Sequence, residues 1–252
     1  MKSTRQWLEY FRNNQEESAE IVWERASLPS APLRDFLIPS LQQFQLGENA
    51  AGRHFLELAR EHGRATGDFD FPEAIALFIG EEQRHSMMLA HYLHRVGAPL
   101  LTAHWTHAWF RRFRHWAGLE SKVTVLVMAE IMAVPYYRAV MVAAHCPVLT
   151  AICRRILREE AQHLRFQGNT LRRLGAHRPA WQVAVNEELQ RTLMTATCLL
   201  TWFEHRHVFA AAGHTFKDVW RAASAALTVV QRSANPKEKI MMQETCPADQ
   251  IV

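Results

Sequence analysis

Hydrophobic positions recur along most of this chain at the three- and four-residue spacing of helices, and runs of alternating β-branched residues are few. A polar amphipathic stretch over residues 4–25 opens the chain. The Ser- and Pro-rich loop 27–32 then leads into a helical pattern that runs to Gly63, where glycine suits the residue just past a helix end. Asp70 is read as the cap of the next helix, with Pro72 in the first turn and Glu73 three residues on; Gly97 and Pro99 end it. The short loop between these two helices predicts an antiparallel hairpin. A second hairpin follows, with helices over 119–145 and 147–175 separated at Pro147. Residues 98–118 form a long connection that could carry a short helix around 104–116. Two further helices are expected over 179–213 and 215–233, and a flexible tail over 235–252. Two hairpins joined by one long crossover are what a ferritin-like four-helix bundle requires. The expected architecture is therefore all-α: a single domain over 1–234, a core bundle over about 33–175, and added N- and C-terminal helices.

Composition agrees with this pattern. With 252 residues and 48% hydrophobic content the chain can fill a sizeable core, which excludes disorder throughout. Ten glycines and ten prolines argue against sandwich, barrel or collagen-like chains. Acidic and basic residues lace the first 24 positions, so an export signal is not expected. The longest apolar run, 123–137, is short for a bilayer and is interrupted by Glu130 and Pro135, so no transmembrane segment is expected. Cys146, Cys153, Cys198 and Cys246 form no CxxC pair or zinc spacing, which suits reduced thiols in a cytoplasm. The net charge of +4 would suit an anionic substrate or acidic partner; it falls short of a nucleic-acid footprint.

Fourteen histidines direct attention to metal ligands. Glu82-Gln-Arg-His85 and Glu160-Ala-Gln-His163 each place a carboxylate and an imidazole three residues apart, on one face of a helix. With 20 glutamates in the chain, about one Glu-x-x-His arises by chance, and Glu204-His-Arg-His207 is a third instance. Height along the bundle separates them. Glu82 lies roughly 18 Å from its hairpin loop and Glu48 roughly 21 Å on the facing helix; Glu130 and Glu160 lie roughly 22 and 20 Å from theirs. Glu204 misses its neighbour's level by roughly 15 Å and is set aside with His207. Glu130 is the most informative residue, because the helix around it is apolar on every side and an ionised carboxylate there needs a metal, an arginine or a raised pKa. Glu48, set among small residues, is preferred to Glu57 as the remaining carboxylate.

The candidate ligands are thus Glu48, Glu82, His85, Glu130, Glu160 and His163. Four carboxylates balance two divalent ions, and an oxygen-rich set with one imidazole per metal suits iron or manganese better than a structural zinc. Tyr137 shares the face of Glu130; it is read first as a core tyrosine with its hydroxyl satisfied, and second as a hydrogen-bond partner or electron relay near the site. Gln167, one turn beyond His163, is read as either a partner of the ligands or an exposed polar residue. The basic, aromatic segment 105–116 reads as a crossover helix packing its rings on the bundle, or else as a docking element for an acidic partner.

The order Glu48, Glu82/His85, Glu130, Glu160/His163 resembles the ferritin-like di-iron carboxylate superfamily over about residues 33–175. Glu81-Glu82-Gln-Arg-His85 is also similar to the second-helix motif of soluble acyl-carrier-protein desaturases, and the whole chain resembles a bacterial branch of ferritin-like proteins. Three departures narrow the resemblance. Storage ferritins lack the added helices, arylamine N-oxygenases carry a further histidine where this chain has Ile156, and radical-generating reductase subunits usually begin the motif with aspartate. The resemblance implies two iron ions, with manganese possible at either position, dioxygen as co-substrate and an external electron donor. The six residues would act through those metals to hydroxylate, desaturate or oxidise an organic substrate, small or carrier-bound. An electron-donor protein and a homodimer are the partners expected; nucleic acid is not. The competing expectations are a non-catalytic, iron-handling protein and a metal-free helical adaptor using 105–116.

Overall fold

The computed structural model describes residues 2–16, 21–48, 52–103 and 118–234, and every regular element among them is helical. Helix α1 spans Thr4–Glu16 and presents Trp7, Leu8, Phe11 and Asn14 as one buried face. It ends well before Arg25, because the 4–25 pattern contains a separate 3₁₀ turn at Trp23–Arg25. The long helix expected to reach Gly63 is two helices, α2 at Ala31–Glu48 and α3 at Arg53–Thr66. Gly52 precedes α3 in extended backbone, so the helical pattern is interrupted there. The left-handed terminator is Gly67, with φ of 76°. Gly63 instead lies inside α3, where a Cβ would stand 2.9 Å from the carbonyl oxygen of Asp68; glycine there permits the close approach to the start of the next helix.

Helix α4, Asp70–Arg95, begins at Asp70 with no side-chain cap, and Phe69 occupies the capping position. It closes through Gly97 (φ 73°), with the Ala98 N–H donating to the Leu93 carbonyl in the pattern of a Schellman turn. Helix α5 spans Leu119–Ala143 and stops two residues short of the expected end, since His145 turns the chain with φ of 47°. Pro147 then starts α6, Pro147–Leu174, at a position where its missing N–H costs nothing. Helices α7 (Ala180–Ala211) and α8 (Phe216–Ala234) complete the described chain. The crossover segment around 104–116 and the tail from 235 lie outside the described residues.

Helices α2 and α4 pack as one antiparallel pair and α5 and α6 as another, with α4 against α6 joining the two. Helix α1 lies on α4, its Phe11 ring 5.1 Å from Phe166 of α6, while α7 packs on α5 and α2, and α8 packs on α6, α5 and α7. Helix α8 reaches α6 at Gly168, where a Cβ would come within 2.7 Å of both the Ser233 side chain and the Val230 carbonyl. Helix α5 has no polar face, as its sequence implied. At 25 residues it is long and apolar enough to cross a membrane, longer than the 15-residue apolar run suggested, yet 67% of its most apolar window is buried against other helices. Its apolar residues are accounted for by a central position in the protein.

Candidate metal centre

Each member of the six-residue set comes from a helix that faces the middle of the bundle. Glu48 is the last residue of α2; Glu82 and His85 sit one turn apart on α4, Glu130 lies mid-way along α5, and Glu160 and His163 sit one turn apart on α6. All six are buried, the most exposed at 8%. Their ligand atoms form two groups, Glu48–Glu82–His85–Glu160 and Glu82–Glu130–Glu160–His163, each spanning no more than 4.8 Å. Glu82 and Glu160 belong to both, so two carboxylates stand between two cages. Glu57 is exposed on α3 beside His54, which leaves Glu48 as the fourth carboxylate. Glu204 and His207 of α7 join neither group, and the His207 ring packs 5.9 Å from Phe36.

A structural role for these groups would give their polar atoms partners. Instead Glu82 Oε1, Glu130 Oε2, both oxygens of Glu160 and the Nδ1 atoms of His85 and His163 are buried without a hydrogen-bond partner. His163 Nδ1 is 3.0 Å from Glu82 Oε1 but outside hydrogen-bonding geometry, and His85 Nδ1 is 3.5 Å from Glu160 Oε1. Six lone-pair atoms converging with no partner are costly in a dry core and suited to cations. The donor set, four carboxylates and two imidazoles, fits a pair of divalent ions of the iron or manganese type.

Electrostatics within the polypeptide agree. Burial, then the neighbouring Glu82 and Glu160, push the Glu48 carboxyl well above the usual range; burial and Glu160 do the same to Glu130. Burial alone would raise Glu160 as well, but the two imidazoles close beside it, favouring its charged form, hold it below its ordinary value. Both histidines are shifted well upward. Burial opposes their charging, and the carboxylates around each ring outweigh it.

The outer edges of the rings are tied down crosswise. His85 Nε2, on α4, lies 2.6 Å from Glu159 Oε2 on α6, and His163 Nε2, on α6, lies 2.8 Å from Glu81 Oε2 on α4. Arg155 donates to Glu159 at 3.0 Å, and with the His85 contact this draws the Glu159 carboxyl down to about 2 despite its burial. Arg84 lies 3.3 Å from Glu81. Fixing the remote nitrogen orients each ring so that Nδ1 points at the cluster. Glu81 and Glu159 carried no assigned role in the sequence. Their signal was nonetheless present, since both motifs read Glu-Glu-x-x-His. Asn14 had no such signal.

No family model, curated protein or solved structure matches this chain.

Two residues left open by sequence are now placed. The Tyr137 hydroxyl donates to Glu48 Oε1 at 2.5 Å, so its satisfied hydroxyl and its place beside the site are one fact. Gln167 is buried and donates to Glu130 Oε1. The walls around the cluster are aromatic. Phe78 packs edge-on to His163 at 4.7 Å, Phe11 lies 6.2 Å from the same ring, and Phe44 stacks on Tyr136 beside Tyr137. A groove of about 430 Å³ runs between the first turns of α5 and the first half of α7, rimmed by Glu120, Arg178 and Trp181; none of the six residues lines it.

Proposed function

We propose that this chain is a ferritin-like four-helix-bundle oxidoreductase that binds two iron ions, or manganese at one or both positions, between α2, α4, α5 and α6. One observation carries the reading: two groups of ligand atoms that share Glu82 and Glu160 in a core where six of those atoms have no other partner. Glu48 and His85 would complete one cage and Glu130 and His163 the other. When bound, such a metal pair supplies two-electron chemistry with dioxygen, directed at an organic substrate. Electrons would come from an external donor, a protein being the expected form.

The chain's own contribution is placement and exclusion. Glu159 and Glu81 set the imidazole rings, Tyr137 holds one oxygen of Glu48, and Gln167 holds one oxygen of Glu130. These bonds leave the free oxygens and Nδ1 atoms aimed inward before any cation arrives, which lowers the ordering cost of binding. The aromatic walls exclude water from the centre, which would favour chemistry on a bound substrate over side reactions with solvent. Three buried free thiols support a reducing compartment such as the cytoplasm.

The test is oxygen reactivity. Protein reconstituted anaerobically with ferrous iron and mixed with oxygenated buffer should consume oxygen in fixed proportion to bound iron, with a transient optical absorption. A Glu82→Ala, Glu160→Ala variant should do neither. Slow, unsaturable iron oxidation with no transient would favour iron handling and refute the oxidoreductase reading.

A further inference from the structure

The metal ligands come from four helices, yet the hydrogen bonds behind them converge on a fifth. Asn14, near the end of α1, is buried, and its side-chain nitrogen lies 2.6 Å from Glu81 Oε1 and 3.1 Å from Glu159 Oε1. A carboxamide nitrogen carries two hydrogens, one for each carboxylate; the carbonyl end in that place would set acceptor against acceptor. The other oxygens of these carboxylates hold the two imidazoles, Glu159 on His85 and Glu81 on His163. A continuous buried chain therefore runs from His85 through Glu159, Asn14 and Glu81 to His163, and Asn14 is the link contributed by another element. Neither ligand motif lies near it in sequence: Glu81 is 67 positions away and Glu159 is 145.

We propose that Asn14 is a positioning residue that couples the two cages, so that setting one histidine for a cation helps to set the other. The inference rests on the two-metal reading above and extends it to α1. Physical linkage follows from the geometry. Both hydrogens of one –NH₂ are committed, so a shift of either carboxylate as its imidazole takes up a cation moves a donor shared with the other. Helix α1 is anchored beside these groups, with Trp7 and Phe11 packed on Phe166 and Phe11 also on Phe78. Removing the link takes the shared donor from two buried carboxylate oxygens, leaving Glu159 Oε1 with Arg155 at 3.0 Å and Glu81 Oε1 with Arg84 at 3.3 Å, partners that do not connect the two, which loosens the restraint on both rings at once.

Cobalt(II), added to the metal-free protein and followed by its ligand-field absorption, reads the two binding steps separately from any turnover. The unaltered chain should take up two cobalt ions in steps that overlap or cooperate. Asn14→Ala should weaken binding by roughly ten- to hundredfold, the range for loss of a partner behind a metal ligand, and resolve uptake into two distinct steps. Asn14→Asp, which sets a third carboxylate against the pair, should be worse than the alanine. Leu8→Ala is the control: Leu8 is buried on the same helix but has no polar atom to join these hydrogen bonds, so it should lower thermal stability and leave the cobalt steps as they were. Unchanged cobalt binding in Asn14→Ala, or an equal loss in Leu8→Ala, would overturn the proposal, the second by showing that α1 docking alone is responsible. If the unaltered chain bound no cobalt, the two-metal reading itself would fall and the coupling with it; failure of the coupling alone leaves two ions bound.

Discussion

Glu130→Gln should reverse the sign of its effect on stability according to whether metal is present. Glu130 is 4% exposed in the most apolar helix of the protein, with one oxygen accepting from Gln167 and the other without a partner. The amide keeps the side chain's size and the carbonyl that Gln167 needs, removes the need to take up a proton on folding, and turns an N–H toward the oxygens of Glu82 and Glu160. Without metal this relieves a buried, poorly satisfied carboxyl and should stabilise the fold by about 1–3 kcal/mol. For a chain of this size each kcal/mol moves Tm by roughly 2–4 °C, so the chelated variant should melt several degrees above the unaltered protein. Saturating metal inverts the order. A cation at about a thousand times its Kd stabilises the native state by roughly 4 kcal/mol per site, and the variant should forfeit most of that for the Glu130 cage. The pH dependence carries the same signature. Burial and Glu160 raise the native pKa of Glu130, so the native state retains a proton that the unfolded chain loses above the ordinary glutamate range. Metal-free stability therefore falls as pH rises through that range toward the native pKa, and the variant should show a shallower fall. Calorimetric melts in chelator and in excess manganese(II), across several pH values, give all three readouts. A chelated variant that melts below the unaltered protein, together with equal metal stabilisation of both, would refute the reasoning and assign Glu130 a purely structural role.

Gly168→Ala should cost about 1–3 kcal/mol and lower Tm with or without metal, because its Cβ would collide with the Val230 carbonyl and the Ser233 side chain of α8; an unchanged Tm would mean that α8 does not sit against α6. Metal uptake should release protons and tighten as pH rises, since Glu48, Glu130, His85 and His163 all have raised native pKa values in the polypeptide alone and must shed protons to become ligands. Calorimetric titrations in buffers of different ionisation heat would count those protons, and a count of zero would contradict the ligand set. Tyr137→Phe removes the donor to Glu48 and should weaken only the cage containing Glu48, seen as a selective loss in one of two cobalt binding steps; an equal loss in both would contradict that placement.

The six candidate ligands were legible because a donor set suited to metal leaves a local imprint. Glu-x-x-His puts two donors on one helical face, matching heights bring four helices to one level, and Glu130 stood out as a carboxylate without a polar neighbour on its helix. Helix ends were less legible. The stretch from Ala31 to Thr66 keeps helical periodicity across a real break, and only Gly47 and Gly52 mark the place. Gly63 looked like a terminator because glycine serves both for left-handed turns and for close approach; here it serves the second purpose, and Gly67 the first. Asn14 was invisible for a different reason. A lone asparagine on an amphipathic helix gives no sign of its partners, which lie on two other helices and become neighbours only when α1 docks. The doubled glutamate of each motif could have led to Glu81 and Glu159, whose shared position before a candidate ligand reflects a crosswise contact between antiparallel helices.

The most direct test of the account is a count of metal per chain. Protein reconstituted anaerobically with ferrous iron, freed of excess by gel filtration and assayed by elemental analysis should carry about two irons per chain, as expected for two cages that share bridging carboxylates. The Glu82→Ala, Glu160→Ala variant, folded by circular dichroism and treated identically, should carry essentially none. Less than about half an iron or manganese per chain in the unaltered protein, or equal metal in the variant, would contradict the account and leave the six residues as a buried polar cluster with no cation to hold.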